Sequence, residues 1–435
     1  MLKGGVHVKT VHYKNQRIEG QLRIPGDKSI SHRAVMLGAI AEGKTSVTGF
    51  LNGEDCLHTI EIFQQLGVEI KQEGTTVEID SPGILNWQQP DEPLYAGNSG
   101  TTARLLLGIL AGSNITATIT GDESLSKRPM DRVVHPLQEM GAQFSSEDGE
   151  NKLPLTVKGS SLKPIHYKSP VASAQVKSAI LFAGLQTDGV TSVEEETISR
   201  DHTEKMLHYF GAKAKTEGTV ASIEKATKLT GKSVAVPADI SSAAFFLVAA
   251  CIKEGGQLTL ENIGLNETRT GIIDVLENMG AKIDITNRSN DNGEETGTIH
   301  IAYNPLQGVE IGGALIPRLI DELPIIALLA TQATGITVIK DAEELRVKET
   351  DRILAVVNEL TNIGANIEAT PDGMVIHGPT PLTGGIMDSY KDHRLGMMAG
   401  IASLVTEKPV EIKDAECIDI SYPTFFEDLA AVAKQ

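Results

Sequence analysis

Apolar positions recur at helical spacing in five separate segments, and each segment ends the same way. The segments are Asp55–Ile70, Asp131–Phe144, Asp201–Ala214, Thr268–Ile283 and Thr350–Ile367. Within them, residues such as Leu57, Ile60 and Ile62–Phe63, or Val133, Val134 and Leu137, fall on one face of a helix. An acidic residue or Thr near each start suits the positive end of that helix. Gly67, Gly141, Gly211, Gly280 and Gly364 then break the pattern, each followed by Val or Ala and a short alternating stretch. A glycine so placed predicts the left-handed residue that ends a helix, and the alternation predicts a strand. The glycines return about every seventy residues, so a unit of helices and strands is repeated along the chain. This predicts an α/β protein of quasi-symmetric subdomains rather than a Rossmann sheet.

Two places read as crossings between domains. Ser233 to Ile240 reads as a strand, a proline turn and a helix start, and Ile18 to Pro25 is rich in Pro and Gly. They divide the 435 residues into a middle domain, 22–238, and a discontinuous domain, 1–21 with 239–435, formed by both chain ends. The polar stretch Asp284 to Thr298 reads as a surface hairpin or loop. The longest apolar run, Ala243 to Ile252, is half of the roughly 20 residues a membrane helix needs, so it reads as a buried helix.

Composition narrows the function. Lys and Arg number 39 against 57 Asp and Glu, a net charge of −18, and no basic run marks a face for nucleic acid or an acidic membrane. Aromatics are 4%, so the cores are aliphatic. Cys56, Cys251 and Cys417 are far apart and form no metal-ligand spacing, which fits a reducing compartment without structural disulfides or zinc. The first twenty residues show no signal-peptide pattern. These features predict a cytoplasmic protein without a metal.

Against that acidic background, cations stand repeatedly where a loop meets a helix. Leu22 to Met36 contains Pro-Gly-Asp-Lys-Ser-Ile-Ser-His-Arg, which places Lys28, Ser29 and Arg33 at a helix start near Ser29. Cations there oppose the helix dipole and call for an anion. Gly38 to Thr45 matches the P-loop letter for letter, but a helix precedes it and a strand follows, so Gly43 reads as a helix C-cap and nucleotide binding is rejected. Gly97, Ser99 and Gly100 leave amides bare before a helix near Thr101, which suits a phosphate or carboxylate, although a plain turn explains them equally well. Lys127 and Arg128 precede Pro129 at another helix start, and Ser173 and Gln175 open an apolar helix. Asp321 and Glu322 lead into the apolar Leu323–Leu328; capping accounts for one carboxylate, and a base at the edge of a cleft is the sharper reading. Leu345 to Arg352 alternates in charge, usually the mark of a solvated face, and His393-Arg394 stand where a polar loop meets an apolar helix. Several cationic helix starts on one cleft would concentrate phosphates and carboxylates.

Pro-Gly-Asp-Lys-Ser-Ile-Ser-His-Arg, Gly-Asn-Ser-Gly-Thr-Thr-Ala-Arg, Gly-Asp-Glu-Ser-Leu-Ser-Lys-Arg-Pro-Met, Arg-Val-Lys-Glu-Thr-Asp-Arg and Asp-His-Arg together resemble the 5-enolpyruvylshikimate-3-phosphate synthase family, in its class II-like bacterial form, over residues 20–430. The resemblance implies a two-domain enolpyruvyl transferase fold, each domain of three repeated βαβαββ-like units, with the active site in the cleft between them. It implies transfer of the enolpyruvyl group of phosphoenolpyruvate to the 5-hydroxyl of shikimate 3-phosphate, through a tetrahedral ketal, with release of phosphate. No cofactor, metal, nucleic acid or membrane is implied, and the enzyme is expected to be a monomer. By matching position, Lys28, Ser29, Arg33, Ser173, Ala174, Gln175, Arg200, Asp321 and Lys348 would contact shikimate 3-phosphate. Lys28, Gly100, Arg128, Gln175, Arg352 and Arg394 would contact phosphoenolpyruvate. Asp321 would take the hydroxyl proton, and Glu349 with Lys28 would serve the methylene carbon.

Ile420 stands where some members carry Lys, so one phosphoenolpyruvate contact is missing or comes from elsewhere. Gly100 matches the position that governs glyphosate entry, which implies that this chain is a glyphosate target. The sister transferase acting on UDP-N-acetylglucosamine carries Cys in the loop matching Thr118–Pro129, and this chain has none there. A nucleic-acid end-processing enzyme on a related fold lacks support from the charge. A non-catalytic anion-binding protein would not need Asp321 or Glu349.

Overall fold

Where apolar residues alternate with polar ones the chain forms strands, and where they run unbroken it forms helices buried on every side. The computed structural model describes residues 8–147, 149–225, 228–291 and 293–434. They fall into two units, one within Met1–Pro25, Ala238–Ser289 and Glu295–Gln435, the other within Gly26–Pro237 and Asn290–Glu294.

The middle unit holds three four-stranded sheets with one arrangement: a parallel pair, then two antiparallel neighbours. In the first, Ser233–Ala235 runs parallel to Glu42–Thr48, which pairs antiparallel with Thr76–Pro82, and that with Glu69–Glu73. Leu94–Tyr95, Thr116–Thr120, Leu155–Lys158 and Gln143–Ser145 repeat the order, as do His166–Lys168, Val190–Glu194, Val220–Glu224 and Ala214–Glu217. Alternation sets the faces: Val77, Ile79 and Ser81 are buried while Glu78 and Asp80 are exposed.

In the unit formed by the chain ends, Glu310–Ile311, Gly335–Ile339, Gly373–Gly378 and Asn366–Thr370 show the same order. A five-stranded sheet contains Arg17–Leu22 parallel to Gln257–Gly264, and a three-stranded sheet joins Val8–Val11, Val410–Lys413 and Gly385–Asp388. The polar stretch expected as a hairpin or loop supplies the long strands Lys282–Asp291 and Glu294–Ala302.

Helices come in two kinds. Lys28–Ile40, Gly100–Ala111 and Ala174–Gly184 in the middle unit are almost wholly buried, as are Ile240–Ile252, Leu323–Ala330 and His393–Ala402 in the other. The last three touch one another, so their apolar residues meet side chains on every face. The amphipathic helices Glu54–Gln65, Asp131–Glu139, His202–Tyr209, Gly271–Asn278 and Arg352–Asn362 bury one side only. Beyond them Gly67, Gly141, Gly211, Gly280 and Gly364 all take positive φ, between 85° and 102°, as the helix-ending reading requires. Gly43 corrects that reading elsewhere. The first helix ends at Ile40 with Ala41 as its cap, and Gly43 lies within the strand Glu42–Thr48. The helix-then-strand order that excludes a P-loop is nevertheless present.

Gly108 permits a close approach of two helices in the middle unit. A Cβ there would lie 2.1 Å from the backbone oxygen of Ala179 on the neighbouring helix. Backbone cannot yield as a side-chain tip does, so Gly108→Ala is expected to destabilise this unit by about 2 kcal/mol and to lower its melting midpoint by about 5 °C. A melt indistinguishable from the parent would contradict this packing.

Candidate active site

Three buried helices of the middle unit begin on side-chain caps. Asp27 accepts from the Ile30 amide, Ser99 from Thr102 and Ser173 from Val176. The other first-turn amides have no helical partner and are donors suited to an anion. Lys28 opens the first of these helices, with its Nζ 2.5 Å from Asp55. Arg33 is buried one turn on. Its Nε donates to Thr203 Oγ1 at 2.6 Å, Nη2 to Ser178 Oγ at 2.9 Å and Nη1 to the Ser29 carbonyl at 3.0 Å.

Gln175 joins two helix starts. Its Nε2 donates to Thr101 Oγ1 at 3.1 Å, and its Oε1 accepts from Arg104 Nη1 at 2.7 Å. Arg128 Nη2 donates to Asn98 Oδ1 at 2.8 Å and to Ser124 Oγ at 3.2 Å, beside the turn leading to Gly100. A Cβ on Gly100 would lie 2.7 Å from Arg104 Nη1 and 3.6 Å from Arg128 Nη1. Gly100, Arg104, Arg128 and Gln175 therefore form one group. Ser29, Ser173, Ala174 and Arg200 are half-buried in the same unit.

In the unit formed by the chain ends, one guanidinium gathers the site. Arg352 begins the helix Arg352–Asn362 and is only 1% exposed. Its Nε donates to Asp392 Oδ2 at 2.8 Å and its Nη2 to Asp392 Oδ1 at 3.2 Å. Nη2 also donates to Glu349 Oε2 at 2.7 Å, and Nη1 to Asp321 Oδ1 at 3.2 Å. Burial works against its charge, but Asp392, Glu349 and Asp321 outweigh burial and hold it above its ordinary range. Lys348 Nζ lies 3.5 Å from the same Asp321 oxygen. Asp392 caps the helix His393–Ala402 by accepting from the Arg394 amide, and Arg394 Nη1 donates to the Ser241 carbonyl at 3.2 Å.

Asp321, Lys348, Glu349, Arg352 and Arg394 thus share one neighbourhood, although Asp321 and Arg394 are far apart in the chain. Two local readings need correction. Neither Asp321 nor Glu322 caps Leu323–Ala330 through its side chain. Asp321 instead bonds Arg352. The charged run 345–352 is a solvated face only in part, because Arg352 turns inward with Ile353 and Val356. The resemblance left Asp392, Asp55 and Arg104 without roles, and none had a local signal of its partner. Asp392 did stand inside the Asp-His-Arg motif.

His32 lies beneath the cations of the middle unit. Its Nδ1 is 2.8 Å from Thr59 Oγ1, and Thr59 Oγ1 is 2.9 Å from Thr102 Oγ1, which donates to Ser99 Oγ at 2.8 Å. This chain of hydroxyls links the helix bearing Lys28 to the one beginning at Gly100. Burial, then the charges of Lys28 and Arg33, hold the imidazole well below its ordinary pKa, so it is neutral.

A family model described as EPSP synthase (3-phosphoshikimate 1-carboxyvinyltransferase) matches residues 12–429. A Bacillus cytotoxicus protein named 3-phosphoshikimate 1-carboxyvinyltransferase is 56% identical over 419 residues, covering 96% of this chain and 99% of its own. One of the same name from Geobacillus kaustophilus is 56% identical over 417 residues, 95% of this chain and 98% of its own. A solved structure of EPSP synthase from Acinetobacter baumannii matches with a TM-score of 0.88 at 43% identity, over 99% of both chains.

The buried neutral histidine has a consequence for stability. The unfolded chain takes up a proton at this residue near pH 6.5 and the folded chain resists it. His32 therefore makes stability fall as pH drops below about 6.5, with a slope of up to about 1.4 kcal/mol per pH unit. His32→Gln should remove that part of the slope in urea titrations between pH 7 and pH 5. Equal slopes in parent and variant would contradict a neutral buried His32.

Proposed function

The chain belongs to the EPSP synthase family, and from that membership we propose how its two units divide the reaction. The enzyme transfers the enolpyruvyl group of phosphoenolpyruvate to shikimate 3-phosphate, a step of the shikimate pathway of aromatic amino acid biosynthesis. In the proposed division, Lys28, Ser29, Arg33, Ser173, Ala174, Gln175 and Arg200 hold shikimate 3-phosphate. Lys28, Gly100, Arg128 and Gln175 act with Arg352 and Arg394 on phosphoenolpyruvate. Asp321 and Lys348 meet the reacting 5-hydroxyl. The enzyme works as a cytoplasmic monomer; a light-scattering mass of one chain supports this, and twice that mass overturns it. Among the described residues no helix is long and apolar enough to cross a membrane.

The observation that carries the mechanism is the shared guanidinium. Asp321 and Glu349 bond different nitrogens of Arg352, so one buried cation sets the positions of two carboxylates. In the addition step Asp321 accepts the hydroxyl proton while the oxygen attacks the central carbon of phosphoenolpyruvate. Glu349, with Lys28, delivers a proton to the methylene carbon, which becomes a methyl group in a tetrahedral ketal. In the elimination step Glu349 takes a methyl proton back, the bond from carbon to phosphate oxygen breaks, and phosphate leaves. Charge on the ketal phosphate is stabilised by the fixed cations. Arg352 reaches phosphoenolpyruvate by sharing the fork that now binds carboxylates.

Phosphate release from phosphoenolpyruvate with shikimate 3-phosphate as acceptor is the direct assay, with UDP-N-acetylglucosamine alongside. Release with the first acceptor alone is expected, and Asp321→Asn should lower kcat by about 10²–10⁴-fold while shikimate 3-phosphate still binds. Near-parental turnover by Asp321→Asn would overturn its role as base.

Gly100 supplies a second test. Its absent Cβ leaves room beside Arg104 and Arg128, where the proposal places phosphoenolpyruvate and the competing inhibitor glyphosate. Gly100→Ala is expected to raise the glyphosate inhibition constant at least tenfold. An unchanged constant would remove Gly100 from that subsite.

A further inference from the structure

Behind the proposed substrate contacts of the middle unit lies a lysine that no role above uses. Lys177 sits in the first turns of the helix Ala174–Gly184, two residues beyond Gln175, and is 3% exposed. An ammonium has three protons to donate and loses all its hydration when buried. Lys177 Nζ finds three oxygens: Glu195 Oε2 at 2.9 Å, Glu204 Oε1 at 2.9 Å and the Ser199 carbonyl at 3.2 Å. Burial works against its charge, but Glu204 and Glu195 outweigh burial and keep the ammonium protonated. Glu204 is itself pushed above its usual range by burial, against the pull of Lys177.

The cluster does more than neutralise itself. Glu195 Oε2, the oxygen that meets Lys177, also accepts from the Ser199 amide at 3.1 Å. Both backbone groups of Ser199 are therefore held, the N–H by Glu195 and the C=O by Lys177. The next residue is Arg200. The segment from Glu195 to Arg200 has no helix or strand of its own between the strand Val190–Glu194 and the helix His202–Tyr209. Its conformation is set by this buried pair, and the helix bearing Lys177 also presents Ser173, Ala174 and Gln175.

We propose that Lys177 is a positioning residue for shikimate 3-phosphate: through Glu195 and the backbone of Ser199 it fixes Arg200 relative to Ser173 and Gln175 without touching the substrate. This rests on the reading above that Arg200 binds shikimate 3-phosphate. A purely structural ion cluster would change stability and leave the affinity of the folded enzyme for this one substrate alone.

The test is a double-mutant cycle on the full-length enzyme, with shikimate 3-phosphate affinity measured by calorimetry and turnover by phosphate release. Lys177→Met keeps the stem and removes the charge. It is expected to weaken shikimate 3-phosphate binding and raise its KM at least tenfold, with kcat at saturation changed less than threefold. Arg200→Ala should weaken binding by at least as much, and Lys177→Met combined with Arg200→Ala no further than Arg200→Ala alone. Effects that multiply, or parental affinity in Lys177→Met beside weakened Arg200→Ala, would overturn the positioning role and leave the Arg200 reading intact. Parental affinity in Arg200→Ala would overturn the Arg200 reading itself, and this inference with it. If Lys177→Met does not fold, Glu195→Gln enters the same cycle with the same expected outcomes.

Discussion

One guanidinium buried among three carboxylates is the constraint on which the proposed catalytic group depends. Arg352 cannot shed its charge, and Asp392, Glu349 and Asp321 occupy its Nε, Nη2 and Nη1. A planar fork imposes directions as well as attraction, so each carboxylate is held at a defined angle. The partners come from three places: two residues before the apolar helix Leu323–Ala330, the loop before the helix Arg352–Asn362, and the cap of the helix His393–Ala402. Breaking a buried ion group by removing one member costs about 3–5 kcal/mol, because charges are left behind without their partner. The positions of these carboxylates are thus tied to the packing of three helices.

The middle unit solves a different problem with the same parts. Its helix starts are capped by Asp27, Ser99 and Ser173, and hydroxyls and amides do much of the orienting: Thr203 and Ser178 for Arg33, Asn98 and Ser124 for Arg128. Neutral acceptors direct an arginine by geometry as well as a carboxylate does. In the unit formed by the chain ends, three carboxylates gather on Arg352, and two of them, Asp321 and Glu349, are the proposed proton carriers. The proposed division, phosphate held in one unit and protons moved in the other, rests on that contrast.

Much of this was legible in the chain. The five glycines after amphipathic segments all adopt positive φ, because only glycine enters that conformation without strain. The unbroken apolar runs are buried helices, and Lys28, Arg352 and Arg394 stand in the first turn of a helix, while Lys127 ends the short helix Glu123–Ser126 and Arg128 lies between it and Asp131–Glu139. What local pattern could not give was partnership. Asp321 and Glu322 read as one cap and one base before an apolar helix, with no sign of the partner Arg352, 31 residues from Asp321. Lys177 drew no reading from the sequence, because the Glu195 that meets it is 18 residues on. Arg352 carried a signal that was outweighed. Its spacing to Val356 and Glu359 puts it on the buried face, while the charges around it suggested solvent. Gly43 was misread because the helix ends earlier, and extended backbone after Ala41 carries the chain straight into a strand.

In the proposed division Arg352 organises the chemistry while shikimate 3-phosphate is held mainly by residues of the middle unit. Arg352→Lys tests it, because an ammonium keeps the charge and loses the fork. The measurement is the rate of phosphoenolpyruvate consumption in a single turnover with enzyme in excess, together with the calorimetric affinity for shikimate 3-phosphate. A first-turnover rate at least a hundredfold lower is expected, with shikimate 3-phosphate affinity unchanged. A parental first-turnover rate, or a loss confined to shikimate 3-phosphate binding, would contradict it.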